Sequence, residues 1–191
     1  MGAADFNTGA ELRGTNEEIF AMLMVARSYG KEKRAQYQEK RNCPYFMSVY
    51  VNEGDEFHLR KNLLNLSDED LMEFIASRNG VVSFEASGPY GVFNGLDSVD
   101  VFHEMAEAAP GAQISGGMGG FSPGGDEYAN FELKDGLMVC KYAHPHWDED
   151  FEDDEEFDED WDDEDDFEDM EEPEWDEEIV YDPVAKKNVK K

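Results

Sequence analysis

The stretch EYANFELKDGLMVCKY at residues 127–142 decides the fold class. Its two halves are rich in aromatic and aliphatic residues, which is typical of strands. Asp135-Gly136 separates the halves, and Asp-Gly favours a tight hairpin turn because both residues tolerate positive φ. We therefore predict two antiparallel strands, at 127–133 and 137–142.

Earlier segments show the same strand signals. Residues 112–118, 81–86 and 45–51 are rich in β-branched, aromatic or aliphatic residues. A further short strand is expected at 57–59. The sequence does not determine the order of these strands in the sheet.

Three segments carry helical periodicity with end signals. Thr15 and Glu18 form a capping-box pattern that predicts a helix over 16–29, resuming after Gly30. Ser67 begins a second helix, which Asn79-Gly80 ends. A third helix starts at Asp97 or Ser98 and closes before Pro110.

Helices interspersed among strands, with a final β-meander, predict an α+β domain. We expect helices packed on one face of a largely antiparallel sheet, followed by a disordered acidic tail. The predicted organisation is a flexible N-terminus (1–14), a single domain (15–146), an acidic-aromatic tail (147–182) and a short basic end (183–191).

Charge is the basis for separating the tail from the domain. The whole chain has a net charge of −31, and residues 148–182 contain 25 acidic residues with no Lys or Arg. Such crowding of like charge prevents a segment from burying enough apolar surface to offset the entropy of ordering. The predicted core therefore precedes residue 147.

Compartment signals are few. Cys43 and Cys140 have neither disulfide-framework nor metal-ligand spacing, which predicts reduced, buried thiols. Neither a signal peptide nor a membrane-spanning run is present in the sequence, so we expect a cytoplasmic protein without membrane contact.

The sequence gives no catalytic, metal or cofactor assignment. The glycine-rich run at 116–125 lacks both the Lys-Ser/Thr ending of a phosphate loop and a following helix, so a flexible hairpin loop is expected there. His144 and His146 beside the acidic run are a weakly specific metal pattern. We name Tyr90, Met118 and Phe121 as candidate loop contacts.

Aromatic residues are spread through the acidic run, where solubility alone gives them no role, because exposed rings promote association. Alternating acids and aromatics are typical of segments that bind a basic, partly apolar groove. The predicted partner-binding aromatics are Trp147, Phe151, Phe157, Trp161, Phe167 and Trp175. The accompanying carboxylates are Asp153, Asp154, Glu155, Asp162, Asp163, Asp165 and Asp166.

Charge spacing suggests what this segment resembles. Fully extended, 35 residues span about 110 Å, or roughly one charge per 4.4 Å. A DNA strand carries one charge per about 3.4 Å, so the segment approaches nucleic-acid charge density. The predicted partner is a basic, nucleic-acid-binding protein. Nucleic acid itself is not the predicted partner, because a protein that binds it needs clustered Lys and Arg.

The predicted function is non-enzymatic: inhibition or chaperoning of that basic partner, including nucleic-acid mimicry of the kind used by phage-type anti-defence inhibitors of nucleases. Two alternatives remain open. One is an adaptor whose globular domain binds the partner while the tail only solubilises. The other is a small-ligand-binding or enzymatic domain that uses the Gly-rich loop. The sequence does not predict an oligomeric state.

Overall fold

A computed structural model describes residues 5–40, 46–50, 61–89, 95–122, 125–143 and 175–189. Within these residues the chain forms three helices and one nine-stranded antiparallel sheet. The helices are α1 (Asn16–Lys40), α2 (Asp68–Ala76) and α3 (Gly95–Ala108). The strands are β1 (Asp5–Arg13), β2 (Phe46–Tyr50), β3 (Lys61–Asn62), β4 (Val81–Pro89), β5 (Gln113–Ser122), β6 (Gly125–Lys134), β7 (Leu137–Ala143), β8 (Glu177–Asp182) and β9 (Lys187–Asn188).

The strand order is β3-β2-β4-β1-β5-β6-β7-β8-β9, which places the first strand of the chain at the centre. The turn between β6 and β7 is the predicted Asp-Gly hairpin, with φ of 54° at Asp135 and 78° at Gly136. The expected α+β class, with helices on one face of an antiparallel sheet, is confirmed. The predicted short strand at 57–59 lies outside the described residues.

One sheet face and the three helices form a single core. Leu12, Phe84, Ile114 and Phe131 point from four adjacent strands into it and are at most 2% exposed. Alternate residues such as Ser115 face solvent, which gives the period-two burial expected of a half-covered antiparallel sheet.

The predicted helix starts are confirmed at two positions. Glu18 accepts a hydrogen bond from the Thr15 backbone N–H at 2.8 Å, and its own N–H donates to Thr15 Oγ1 at 3.2 Å. Ser67 Oγ accepts from the Asp70 N–H at 3.1 Å. Satisfying these otherwise unpaired donors stabilises each helix start. Unlike the prediction, α1 continues through the buried Gly30 to Lys40.

The predicted flexible N-terminus is wrong for residues 5–13. These residues form β1, which pairs with β4 on one side and β5 on the other. Apart from Phe6 and Leu12 its residues are small, polar or charged, so it has little intrinsic strand signal. Two partner strands provide the hydrogen bonds that define it.

The predicted tail and basic end are also wrong for residues 177–182 and 187–188. β8 pairs with β7, and β9 pairs with β8 at the edge of the sheet. Tyr181 contributes a core residue that is 9% exposed. The domain therefore includes the C-terminal hairpin, by which we mean β8, β9 and the turn between them.

The β1–β5 contact requires glycine at position 116. A Cβ at Gly116 would lie 2.6 Å from the Ala10 Cα and still nearer the Gly9 carbonyl oxygen. At Gly9 the nearest atom to an added Cβ would be 3.9 Å away, an ordinary contact.

Gly116→Ala is therefore expected to destabilise the protein by about 1–3 kcal/mol, because the central strands must separate. Urea unfolding, which gives the free energy of unfolding, tests this. Gly9→Ala is the matched control and is expected to be neutral or slightly stabilising, since it reduces the entropy of the unfolded chain. Equal effects of the two substitutions would contradict the close-approach explanation.

Candidate functional site

The acidic segment, residues 144–174, begins and ends at neighbouring strands. β7 ends at Ala143, and β8 pairs antiparallel with β7 from the Tyr142–Glu177 pair onward. The Asp176 N–H donates to the Tyr142 carbonyl oxygen at 2.8 Å. The segment is thus an internal connection fixed at both ends, whereas the sequence predicted a terminal tail fixed at one.

The acidic segment carries most of the chain's excess charge, with 21 acidic residues among 31 and no Lys or Arg. The predicted partner-binding residues from Trp147 to Phe167, including all seven named carboxylates, lie outside the described residues. Trp175 is described: it is half-buried and stands two residues before β8. The structure therefore shows where the acidic segment is attached but not the arrangement of those side chains.

Side chains from α3 anchor the far end of this connection. The Tyr181 ring of β8 stacks on His103, with centroids 4.0 Å apart and ring planes within 10°. One turn further along α3, Glu107 accepts a hydrogen bond from the Tyr181 hydroxyl. Its second carboxylate oxygen pairs with Lys186 in the turn of the C-terminal hairpin. We call His103, Glu107, Tyr181 and Lys186 the α3 clasp.

The clasp shifts the protonation of its members. The hydrogen bond from Lys186, and then that from Tyr181, lowers the pKa of Glu107. Burial raises the pKa of Tyr181 to about 12, and its hydrogen bond to Glu107 acts in the same direction. Burial also lowers the pKa of His103, against the opposing effects of Asp100 and Glu107. Each shift favours the protonation state found in the contact: carboxylate, phenol and neutral imidazole.

Cys140 lies beneath the clasp, with Sγ 3.7 Å from His103 Nε2. A thiol beside an imidazole invites comparison with a cysteine nucleophile, which requires an accessible thiolate with a low pKa. Cys140 is fully buried, and that burial raises its pKa to about 12. The pair is a core contact, and the predicted free, buried thiol is confirmed for Cys140. Cys43 lies outside the described residues.

Two of the three predicted loop contacts, Met118 and Phe121, lie in a strand. Residues 116–122 belong to β5, and Met118 is a core residue, 4% exposed. Phe121 lies in the same strand, opposite Asp126. Tyr90 is outside the described residues. The Gly-rich run was expected to be a flexible loop, and this is wrong through residue 122, because the glycines permit close strand contact.

Lys and Arg are clustered at two places in the sequence, residues 31–41 and residues 186–191. Lys31 is exposed in the second half of α1, where the first cluster begins. In the second cluster, Lys186 is engaged by Glu107. The sequence alone gave no signal for this ion pair, since its partners are 79 residues apart.

In the described part of the chain, no group of three or more His, Cys, Asp or Glu side chains is placed to hold a metal ion. None of the helices of that part of the chain has an apolar stretch long enough to cross a membrane.

Comparison of the chain with known protein families, curated proteins and solved structures gives no match.

The clasp predicts a specific pH dependence of stability. Since burial lowers the folded-state pKa of His103 below 6.5, the unfolded chain binds more protons at this residue just below that pH. The contribution of the neutral ring is complete above about pH 6.5 and is lost as pH falls toward the folded pKa. The titratable groups that face the His103 ring are Asp100 and Glu107 on α3, Cys140 on β7, and Tyr181 on β8.

His103→Phe retains a ring to stack on Tyr181 but cannot titrate. Between about pH 7.5 and pH 5.5, the free energy of unfolding of the wild type should therefore fall further than that of the variant. Urea unfolding at the two pH values gives both differences. Identical pH dependence in the two proteins would show that His103 does not titrate differently on folding.

Proposed function

We propose that this chain is a non-enzymatic, cytoplasmic binding protein whose acidic segment engages a basic, nucleic-acid-binding protein and thereby inhibits or chaperones it. One concrete form is a nucleic-acid mimic of the anti-defence type, which occupies the channel of a nuclease. The observation that carries the proposal is a run of 21 acidic residues among 31 with both ends fixed at adjacent strands of a folded domain.

Fixing both ends favours binding in two ways. A segment fixed at both ends keeps its charges closer to its attachment points than a segment of equal length held at one end, and this raises the local negative potential. A partner also meets charge that is already gathered there, and less freedom is lost on association. Aromatic residues within the segment supply apolar contacts once the charge is neutralised.

The adaptor alternative assigns recognition to the folded domain. Its solvent-facing sheet surface includes exposed Tyr128 and Asn130 beside a row of glycines on β5. The ligand-binding or enzymatic alternative loses its proposed contact Met118, which is buried. The acidic segment therefore remains the better-supported binding site for the partner.

Because β8 and β9 follow the acidic segment in the chain, a test must remove that segment without deleting these strands. Truncation before residue 147 would also delete β8 and β9, and would confuse loss of binding with damage to the sheet. Replacing residues 144–174 by Asn-Gly joins β7 to β8 through a short turn and leaves both strands in place. Circular dichroism and thermal melting should show a retained fold with unchanged or higher Tm, since the connection is shorter.

Capture from lysate, with the full chain and this loop-replaced variant as baits at low and moderately high salt, tests the proposal. We expect the full chain alone to retain a basic protein, and at least one partner to survive the higher salt through aromatic contacts. A second variant keeps every acid but replaces Trp147, Phe151, Phe157, Trp161 and Phe167 by Ser. It should lose that salt-resistant partner. Equal capture by the loop-replaced variant would assign recognition to the folded domain.

Nucleic-acid mimicry makes a separate prediction. If the acidic segment occupies the nucleic-acid channel of the partner, duplex DNA should release the captured partner, because the two ligands exclude each other. Poly-glutamate at equal charge concentration is the control and should release less, since it has the negative charge of the duplex without its shape or base edges. A partner that holds DNA and this protein together would contradict mimicry while leaving binding intact.

A further inference from the structure

A small groove crosses β1, β5 and β6 on the solvent-facing side of the sheet. Its volume is about 150 Å³. Two of its lining residues, Ile114 and Leu133, point their side chains into the core and are 1% and 0% exposed, so they contribute backbone to the floor. The other lining residues are polar or charged: Glu11, Arg13, Gln113, Ser115, Glu132 and Lys134.

Strand register arranges these six side chains in two rows that run across the three strands. Each row has a charged residue on the two outer strands, β1 and β6, and a neutral residue on β5 between them. The basic row is Arg13, Gln113 and Lys134, and the acidic row is Glu11, Ser115 and Glu132. The groove therefore has a positive side and a negative side.

An ion pair already fixes part of this lining. The Arg13 guanidinium contacts a single oxygen of Glu11 through Nε and Nη2, each at 2.6 Å. A guanidinium has five N–H donors and a carboxylate has two oxygens, so both groups retain hydrogen-bonding capacity for a ligand. The contact holds the two side chains beside the groove, which reduces the freedom lost when a ligand binds.

The charges of the groove select a ligand that carries both signs. The four charged side chains of the two rows sum to zero, whereas the whole chain has a net charge of −31. A simple anion is repelled by the chain at long range, and a simple cation is attracted more strongly by the acidic segment. A net-neutral molecule with one carboxylate and one ammonium avoids both effects and has a partner row for each charge.

The spacing of the rows sets the length of that ligand. Residues two apart on an antiparallel strand are separated by about 7 Å, and this is the distance between the two rows. An extended dipeptide also spans about 7 Å from its amino terminus to its carboxyl terminus. A single amino acid is about half that length and cannot place its two charges in both rows.

We propose that this groove is a binding site for a dipeptide-sized zwitterion. The carboxylate of the ligand accepts hydrogen bonds from the cations and the Gln113 amide of the basic row. Its ammonium donates to the carboxylates and the Ser115 hydroxyl of the acidic row. The site goes beyond the proposed function, since none of its residues belongs to the acidic segment.

Amide NMR of the full chain, titrated with glycylglycine near neutral pH, tests the site. We expect saturable chemical-shift changes at the amides of residues 113–115 and 132–134. N-acetyl-glycylglycine and glycylglycine amide each lack one terminal charge, and glycine lacks the length, so each should bind there about threefold or more weakly. Absence of saturable changes at these amides, or equal affinity for any of the three control ligands, would overturn the proposal.

Exposed charges allow matched variants. Lys134→Gln and Glu132→Gln each remove one charge from the groove, whereas Lys187→Gln and Glu104→Gln remove the same charges from exposed positions outside it. We expect the first two to raise the Kd for glycylglycine by about twofold or more and the second two to leave it unchanged. Equal effects inside and outside the groove would contradict the site.

Combining variants with blocked peptides tests the orientation of the ligand. The effect of Lys134→Gln should disappear with glycylglycine amide, because that peptide has no carboxylate to lose a partner. The effect of Glu132→Gln should disappear with N-acetyl-glycylglycine, which has no ammonium. Effects that persist with these peptides would overturn the assignment of the two rows to the two termini.

Discussion

The sheet depends on the close approach of β1 and β5. β1 joins the group formed by β2, β3 and β4 to the meander that starts at β5, so the nine strands form one sheet only through it. Gly116 lacks the Cβ that would strike β1, and Ala10 opposite it is the smallest side chain that still contributes to the core. The capping box that follows β1 turns the chain into α1, which covers the face that β1 helps to build.

At the other end of the chain, β7–β8 pairing determines how the acidic segment is attached. Closing a connection of about 30 residues has a length-dependent entropy cost of about 3 kcal/mol, to which the repulsion among its charges adds. Burial of Tyr181, its stack on His103 and the Glu107 contacts oppose that cost. The side chains of the clasp therefore explain why so acidic a connection ends in a strand of the sheet.

Local chemistry was enough to predict the elements with local end signals. The Asp135-Gly136 turn, the Ser67 cap and the Thr15–Glu18 box each depend on residues within four positions, and all three are present. The β1 segment carries little local strand signal because Asp, Asn and Gly have weak strand preference, and its partners in β4 lie 68 to 84 positions away in the chain.

The difference between local and long-range signals also explains why the sequence does not predict the α3 clasp. Ile179 and Tyr181 alternate as strand residues should, but the surrounding acids predict a solvated segment, and only β7 and α3 reveal their place. His103 and Glu107 lie four apart on one helix face, a spacing visible in the sequence. The contacts of His103 and Glu107 are not visible in the sequence, because the charge pattern places Tyr181 in the predicted tail and Lys186 in the predicted basic end. The glycine-rich sequence of β5 predicts a loop because glycine is depleted in strands, although neighbouring backbone leaves little or no room for a Cβ at Gly116 and Gly117.

The contacts and pKa shifts of the clasp residues suit attachment of the C-terminal hairpin better than acid–base catalysis. General acid–base catalysis requires a group whose pKa is near the working pH and whose atoms reach a substrate. Burial raises the pKa of the Tyr181 phenol in the clasp and of the Cys140 thiol beneath it, the imidazole is stacked, and the carboxylate is engaged by two donors. These groups hold one another in fixed protonation states, which suits a mechanical attachment.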